Sequence, residues 1–187
     1  MPTNQHIREQ ALAARRALDD EYRVVASSVI TSKFTSSHVF MSARSIACYM
    51  PMKDEVDSRA VFERGWRSNK RMFVPVTLED GSMYFREVLR ETDLEKNLFG
   101  VWEPTSGAIF SPRFLDVVIT PLVAFDAYHN RIGMGGGYFD RCFSYLRNRR
   151  HWFQPKLIGL AFHCQKVEKI SPNPWDIPLY CVYDETE

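Results

Sequence analysis

The residues with the most chemical potential sit in one stretch, RIGMGGGYFDR at residues 131–141. It holds four of the chain's nine glycines, at Gly133, Gly135, Gly136 and Gly137. Glycine leaves no Cβ between backbone and ligand, so successive N–H groups can close on an anion. A helix starting directly after such a turn adds unpaired amides and the positive end of a dipole, which favours phosphate. Asp140 offers an oxygen ligand for a hard cation, and Arg131 and Arg141 flank the turn as anion partners. These residue types read as a nucleotide phosphate site. The turn is not a P-loop, because it lacks the Gly-Lys-Ser/Thr ending. It also departs from the dinucleotide fingerprint, which opens the first βα unit and needs a later acidic residue on a second strand. A tight strand-to-helix turn is the ordinary alternative for the same glycines.

The turn must be held between a buried strand and a helix. Residues 117–120 read as a strand whose Val117, Val118 and Ile119 are apolar in succession, as a strand covered on both faces requires. Residues 138–149 suit a helix with Phe139, Cys142, Phe143 and Leu146 on one face. Upstream, residues 1–18 are rich in Ala, Arg and Gln and suit a helix. Asp19 and Asp20 suit the cap of a second helix, on which Val25, Val29, Ile30 and Phe34 form an apolar stripe. Residues 45–50 read as a buried strand, and Asp57 or Ser58 as the cap of a third helix whose Val61, Phe62 and Trp66 face a sheet. Residues 71–76 read as the next strand and 82–88 as a peripheral one. Residues 91–112, with Gly100, Pro104, Gly107 and Pro112, read as an irregular loop long enough to be functional. Residues 156–162 and 179–183 read as late strands. Alternating strands and helices predict an α/β fold with a mainly parallel or mixed sheet.

The chain's 187 residues predict one domain over 1–187. A net charge of +1 gives no general case for nucleic acid. The cluster Arg147, Arg149 and Arg150 is explained by a helix C-terminus. No apolar run approaches the ~20 residues of a membrane span, and no secretory signal is evident. Cys48, Cys142, Cys164 and Cys181 form no CxxC pair, so free buried thiols in a reducing cytoplasm are expected. His38, His129, His151 and His163 form no triad or ligand spacing.

ITPLVAFD at residues 119–126, followed by the glycine stretch, resembles the signature of the 5-formyltetrahydrofolate cyclo-ligase family. Residues 12–20 resemble that family's arginine-rich N-terminal helix, and residues 49–57 its substrate segment. Gly159-Leu-Ala-Phe, Gln165 and residues 174–178 resemble its C-terminal end.

The resemblance implies a three-layer α/β/α sandwich and an ATP- and Mg2+-dependent ring closure of 5-formyltetrahydrofolate to 5,10-methenyltetrahydrofolate. It implies small-molecule partners only, in a cytoplasmic monomer. The reacting set would be Arg131, Tyr138 and Asp140. ATP would be held by Asn4, Arg8, Arg131, Ile132, Gly133, Met134, Gly135, Gly136, Gly137, Tyr138 and Phe139. The folate would meet Met50, Glu55, Phe99 and Met134 through Tyr138, and Mg2+ would take Asp140 and Asp176. Two departures stand out: the lysine that the family often carries among these glycines is absent, and Asn4 stands where a lysine is common. A basic partner for the γ-phosphate must then come from elsewhere, with Arg131, Arg141 and Arg8 as candidates. Each assignment has a plainer alternative: a solvated helix face for Arg141, helix capping for Asp140, a turn for Asp176 and a loop charge for Glu55. The departures support one alternative function, a nucleotide-binding α/β protein without catalysis.

Overall fold

The computed structural model describes residues 3–98, 100–148 and 154–186. Thr3 starts α1 (Asn4–Ala17) by accepting from the His6 amide, and Asp19 starts α2 (Asp20–Thr35) by accepting from Tyr22 at 2.7 Å. Both side chains satisfy amides that a first helical turn leaves unpaired. In chain order there follow α3 (His38–Ser42), β1 (Ser45–Ala47), α4 (Arg59–Arg67), β2 (Arg71–Thr77), β3 (Met83–Val88), β4 (Leu94–Lys96), β5 (Trp102–Pro104) and β6 (Ile109–Phe110). The remainder is β7 (Val117–Ile119), β8 (Ala124–Phe125), β9 (Arg131–Ile132), α5 (Tyr138–Cys142), β10 (Lys156–Leu160) and β11 (Cys181–Tyr183).

Seven strands form the central sheet in the order β11-β10-β7-β1-β2-β3-β6. Neighbours from β11 through β2 pair in parallel, and β3 and β6 extend the sheet antiparallel. Side chains alternate across the sheet with period two. Ile46, Met72, Val74, Val117, Ile119, Ile158 and Leu160 pack into one core with Ile30 and Phe34 of α2, Phe40 of α3 and Val61 and Phe62 of α4. Ala47, Phe73, Phe85, Val118 and Leu157 pack into the other with Phe143 and Leu146. Helical structure therefore covers both faces of a mainly parallel sheet. The second layer is thin, since α5 spans five residues and continues as a 3-10 turn over Ser144–Asn148. A third cluster seats Ile7 and Ala11 of α1 on Val123, Ala124, Ile132 and Ile170, over the β8–β9 hairpin.

Several sequence expectations shift. Val25 and Val29 are exposed on α2; its buried face is Ala26, Ser27, Ile30, Thr31 and Phe34. The core meets α2 along Ala26, Ile30 and Phe34, and Ser27 Oγ on the same side accepts from the Asp57 amide at 3.0 Å. Ser58 occupies the N-cap of α4 without a side-chain cap bond. The region expected to be an irregular loop holds the β4–β5 hairpin and the edge strand β6, formed by pairing that its mixed composition does not announce. The helix expected over 138–149 tightens after Cys142, and Arg149, Arg150 and His151 lie outside the described residues. Of the four cysteines, all free, only Cys48 is fully buried. Among the described residues no helix is long and apolar enough to cross a membrane.

Candidate active site

One cavity of about 770 Å³ opens beside the glycine turn. It is lined by Asn4 and Arg8 of α1, Met50, Met52 and Glu55 of the segment after β1, residues 131–141, and Asp176. Thus every proposed site residue among the described residues reaches a single space; Phe99 lies outside the described residues.

The turn itself is built for close approach. Gly135 and Gly137 have φ of +107° and +65°, where a Cβ is strained. Gly133 lies outside that region, yet a Cβ built on it meets no heavy atom within 4 Å. Among the described residues no packing demands glycine there; the open space is the cavity. Gly137 is the N-cap of α5 and supplies no side-chain cap, so the amides of that turn stay available.

The chain entering the turn is clamped from behind. Asp126, 1% exposed, accepts from the Tyr128 and Asn130 amides at 3.0 and 2.9 Å and from Ile170 N at 2.9 Å. That closes the β8–β9 hairpin, with His129 in the left-handed region at φ 63°. Gln165, also buried, donates to Leu122 and Val123 carbonyls at 3.2 and 2.9 Å. From α1, Arg8 Nε donates to the Gly133 carbonyl at 2.9 Å and its Nη1 donates to Gln5.

The three candidate arginines are all engaged. Arg131 is 8% exposed, and its guanidinium donates to the Ile177 carbonyl and, at 2.8 Å, to Asp140 Oδ1. Arg141 donates to the Gly81 carbonyl at 2.9 and 3.1 Å and lies over the Tyr138 ring. Asp140 does not cap α5; its Oδ1 accepts from Arg131 and from the Ile177 amide at 3.0 Å. Asp176 closes a local turn, its Oδ2 accepting from Asn173 N at 2.7 Å. Asn4 Nδ2 donates to the Ser171 carbonyl at 2.9 Å, while its Oδ1 is buried without a partner.

Glu55 is not a solvated loop charge. Its side chain is 11% exposed, Oε2 accepts from the Met52 amide at 3.0 Å, and Oε1 lies 4.0 Å from Arg15 Nη1. Burial pushes its carboxyl above the usual glutamate value; the Met52 amide and Arg15 partly offset this, and Asp54 adds to it.

The structure adds residues that sequence reading missed. Trp175, Met52 and Arg147 line the cavity. On its β-hairpin wall, Glu103 Oε1 accepts from Thr77 N, Thr77 Oγ1 and Asn97 Nδ2 at 3.0, 3.1 and 2.8 Å, which pins the hairpin to β2. Arg15, behind Glu55, shares a helix face with Asn4, Arg8 and Ala11 through their spacing of four, three and four residues. That spacing is the one signal that was readable in advance.

The comparisons with known proteins show the family of the chain. The model of the 5-formyltetrahydrofolate cyclo-ligase family matches residues 1–185. This chain belongs to the 5-formyltetrahydrofolate cyclo-ligase family. It is therefore an enzyme by class. The 5-formyltetrahydrofolate cyclo-ligase of Haemophilus influenzae is 37% identical over 142 residues, 74% of each chain. That of Escherichia coli K12 is 34% identical over 172 residues, 90% of this chain and 92% of its own. The NMR structure of Aquifex aeolicus 5,10-methenyltetrahydrofolate synthetase superposes with a TM-score of 0.84 at 28% identity, covering 98% of this chain and 90% of that one. The synthetase from Mycoplasma pneumoniae gives 0.75 at 26% identity, covering 97% and 98%.

For a cyclo-ligase of this family the donor set around Asp140 is informative. Mg2+ takes one or two carboxylates and completes its shell with water and phosphate oxygens. Among the described residues no group of three or more His, Cys, Asp or Glu forms a closed cage. Asp140 and Asp176 line the same cavity, and the amide of Ile177, next to Asp176, bonds Asp140. These residues fit a cation that shares its ligands with a bound phosphate.

Proposed function

We propose that this enzyme closes 5-formyltetrahydrofolate to 5,10-methenyltetrahydrofolate with ATP and Mg2+, releasing ADP and phosphate. The observation that carries the reading is the single cavity of about 770 Å³ with an open glycine cradle and the enclosed Glu55 carboxylate on its walls. Volumes of this order suit small-molecule substrates.

The cradle amides around Gly133 to Gly137 take the ATP phosphates, with Arg8 fixing the cradle's shape through the Gly133 carbonyl. Arg147 on the cavity wall supplies the positive charge that the absent glycine-loop lysine gives elsewhere in the family. Glu55 accepts N–H donors of the pterin, with Met50, Met52 and Trp175 as its apolar surroundings. Asp140 and Asp176 would hold Mg2+, which would supply neutralisation of phosphate charge. The formyl oxygen attacks the γ-phosphorus and ADP leaves. N10 then attacks the phosphorylated formyl carbon, the C–O bond to phosphate breaks, and the N10 proton is released. Phosphorylation turns a poor leaving group into a good one, so the protein's part is positioning and charge complementarity.

Incubating the protein with 5-formyltetrahydrofolate, ATP and Mg2+ while following methenyl absorbance tests this. Product that requires both ATP and metal is the expected result. ATP binding without product would instead favour the nucleotide-binding protein that has no turnover.

A further inference from the structure

We propose that Arg15 is the positioning residue for Glu55, holding its carboxylate in place on the cavity wall from the helix that also presents Asn4 and Arg8. This rests on the folate reading of Glu55 given above. The Arg15 side chain is 4% exposed and lies outside the cavity lining. Its Nε and Nη2 grip Asp54 Oδ2 at 3.2 and 2.9 Å. Its Nη1 donates to the Leu122 carbonyl at 3.4 Å and stands 4.0 Å from Glu55 Oε1. One planar fork thus joins three pieces: α1, the chain at Leu122 beside the cavity, and the segment carrying Glu55. Lysine, with one compact charge, cannot reproduce that geometry.

Asp54 takes the short bonds and sets the fork's orientation, which leaves Nη1 facing Glu55. Among the described residues the Glu55 carboxylate accepts one hydrogen bond, from the Met52 amide, with Arg15 as its ion-pair neighbour at 4.0 Å. A buried carboxylate without a counter-charge tends to take up a proton, and a protonated one loses acceptor capacity for substrate N–H groups. The charged and titratable groups facing Glu55 are Arg15 from α1, Asp54 from its own segment, and Tyr49 and Cys48 from the chain leaving β1. Arg16 reaches Asp54 at 3.8 Å. Burial raises both the Tyr49 hydroxyl and the Cys48 thiol, so they stay neutral at working pH.

The test is the pH dependence of KM for each substrate in the full-length protein, with Arg15→Gln, Arg15→Lys and Asp54→Asn. Arg15→Gln should raise the KM for 5-formyltetrahydrofolate about tenfold with the ATP KM nearly unchanged. The pH below which the folate KM climbs should move upward. Arg15→Lys, which keeps charge and loses the fork, should move it in the same direction by less. Asp54→Asn should move it downward, because it removes a negative neighbour of Glu55 and frees Arg15 to close the 4.0 Å gap. A folded Arg15→Gln that raises both KM values equally, with an unmoved pH profile, would overturn the proposal. If Arg15→Gln does not fold, an unmoved or upward profile in Asp54→Asn overturns it. Failure of the underlying reading is separately visible: Glu55→Gln with a wild-type folate KM would remove Glu55 from the substrate site, whatever Arg15 does.

Discussion

Asp140 serves two neighbours through one oxygen, and that sets what its replacement should do. Oδ1 accepts from buried Arg131 and from the Ile177 amide. Asp140→Asn keeps an acceptor at that position and removes the charge. Arg131 then loses its ion-pair partner but keeps the Ile177 carbonyl. With Asp140 about one-fifth exposed, screening limits the stability loss to about 1–2 kcal/mol. On the proposed metal role of Asp140, turnover should fall about a hundredfold or more, because a cation held there would be lost together with its compensation of phosphate charge. Circular dichroism melts beside steady-state rates across Mg2+ concentrations check both halves. Near-normal Mg2+-dependent turnover would take Asp140 out of the metal site. Elsewhere the residue scale offers little nucleophilic chemistry: burial pushes the Cys48 and Cys142 thiols up to about 12 and about 11, which leaves them protonated and unreactive at neutral pH.

At the scale of elements, the glycine turn separates two reasons for using glycine. Gly133→Ala places a methyl in open cavity with an unstrained backbone. It should leave stability within about 0.5 kcal/mol of wild type and raise the ATP KM about tenfold. Gly137→Ala forces a Cβ at φ +65°, 2.9 Å from an Arg141 nitrogen, and should cost about 1 kcal/mol of stability. Chemical denaturation paired with ATP kinetics distinguishes these; equal ATP effects with equal stability losses would mean both glycines serve the fold. The β2–β3 pair carries a pH signature of its own. Arg71 bonds Glu87 bidentately, each contact at 2.7 Å, and holds its carboxyl below the usual glutamate value. A lowered carboxyl contributes stability above its unfolded value of about 4.5 and loses it as pH falls through the folded one. Since Arg71 is half exposed, Glu87→Gln should cost at most about 1 kcal/mol at neutral pH. The cost should vanish in acid, where wild type and variant unfold at the same denaturant midpoint.

At the scale of the whole molecule, strands and the segments that cross them pack in close contact. Gly159 in β10 is such a point. A Cβ there would lie 2.7 Å from Leu122, 2.9 Å from Leu179 and 3.1 Å from Val182. Leu122 is both core and cavity wall, so crowding at Gly159 reaches the site through packing. Gly159→Ala should lower stability by about 1–3 kcal/mol, read as a lower urea midpoint with an unchanged slope. Because Leu122 also accepts from Gln165 and Arg15, the folate KM should rise with it. A stable variant with unchanged kinetics would mean the strand relaxes locally.

Local signals in the chain determined much of this. Caps at Asp19 and the all-apolar run of β7 act over a few residues, and a helix start or a buried strand needs nothing more distant. The glycine spacing likewise determined the turn, and the long signature determined the family. What tertiary structure decided depends on pairing across the chain. The β4–β5 hairpin, the inward rotation of α2 away from its valines, and the early tightening of α5 follow from which surface each segment meets. The same holds at the site. Sequence could nominate Glu55 as readily as Asp54 or Asp57, because a carboxylate's role is set by burial and by the charge beside it. Arg15 stands 40 residues away along the chain from Glu55 and reaches it only once α1 has packed against the segment after β1. Electrostatic partners found through space leave no period or spacing for a sequence to carry.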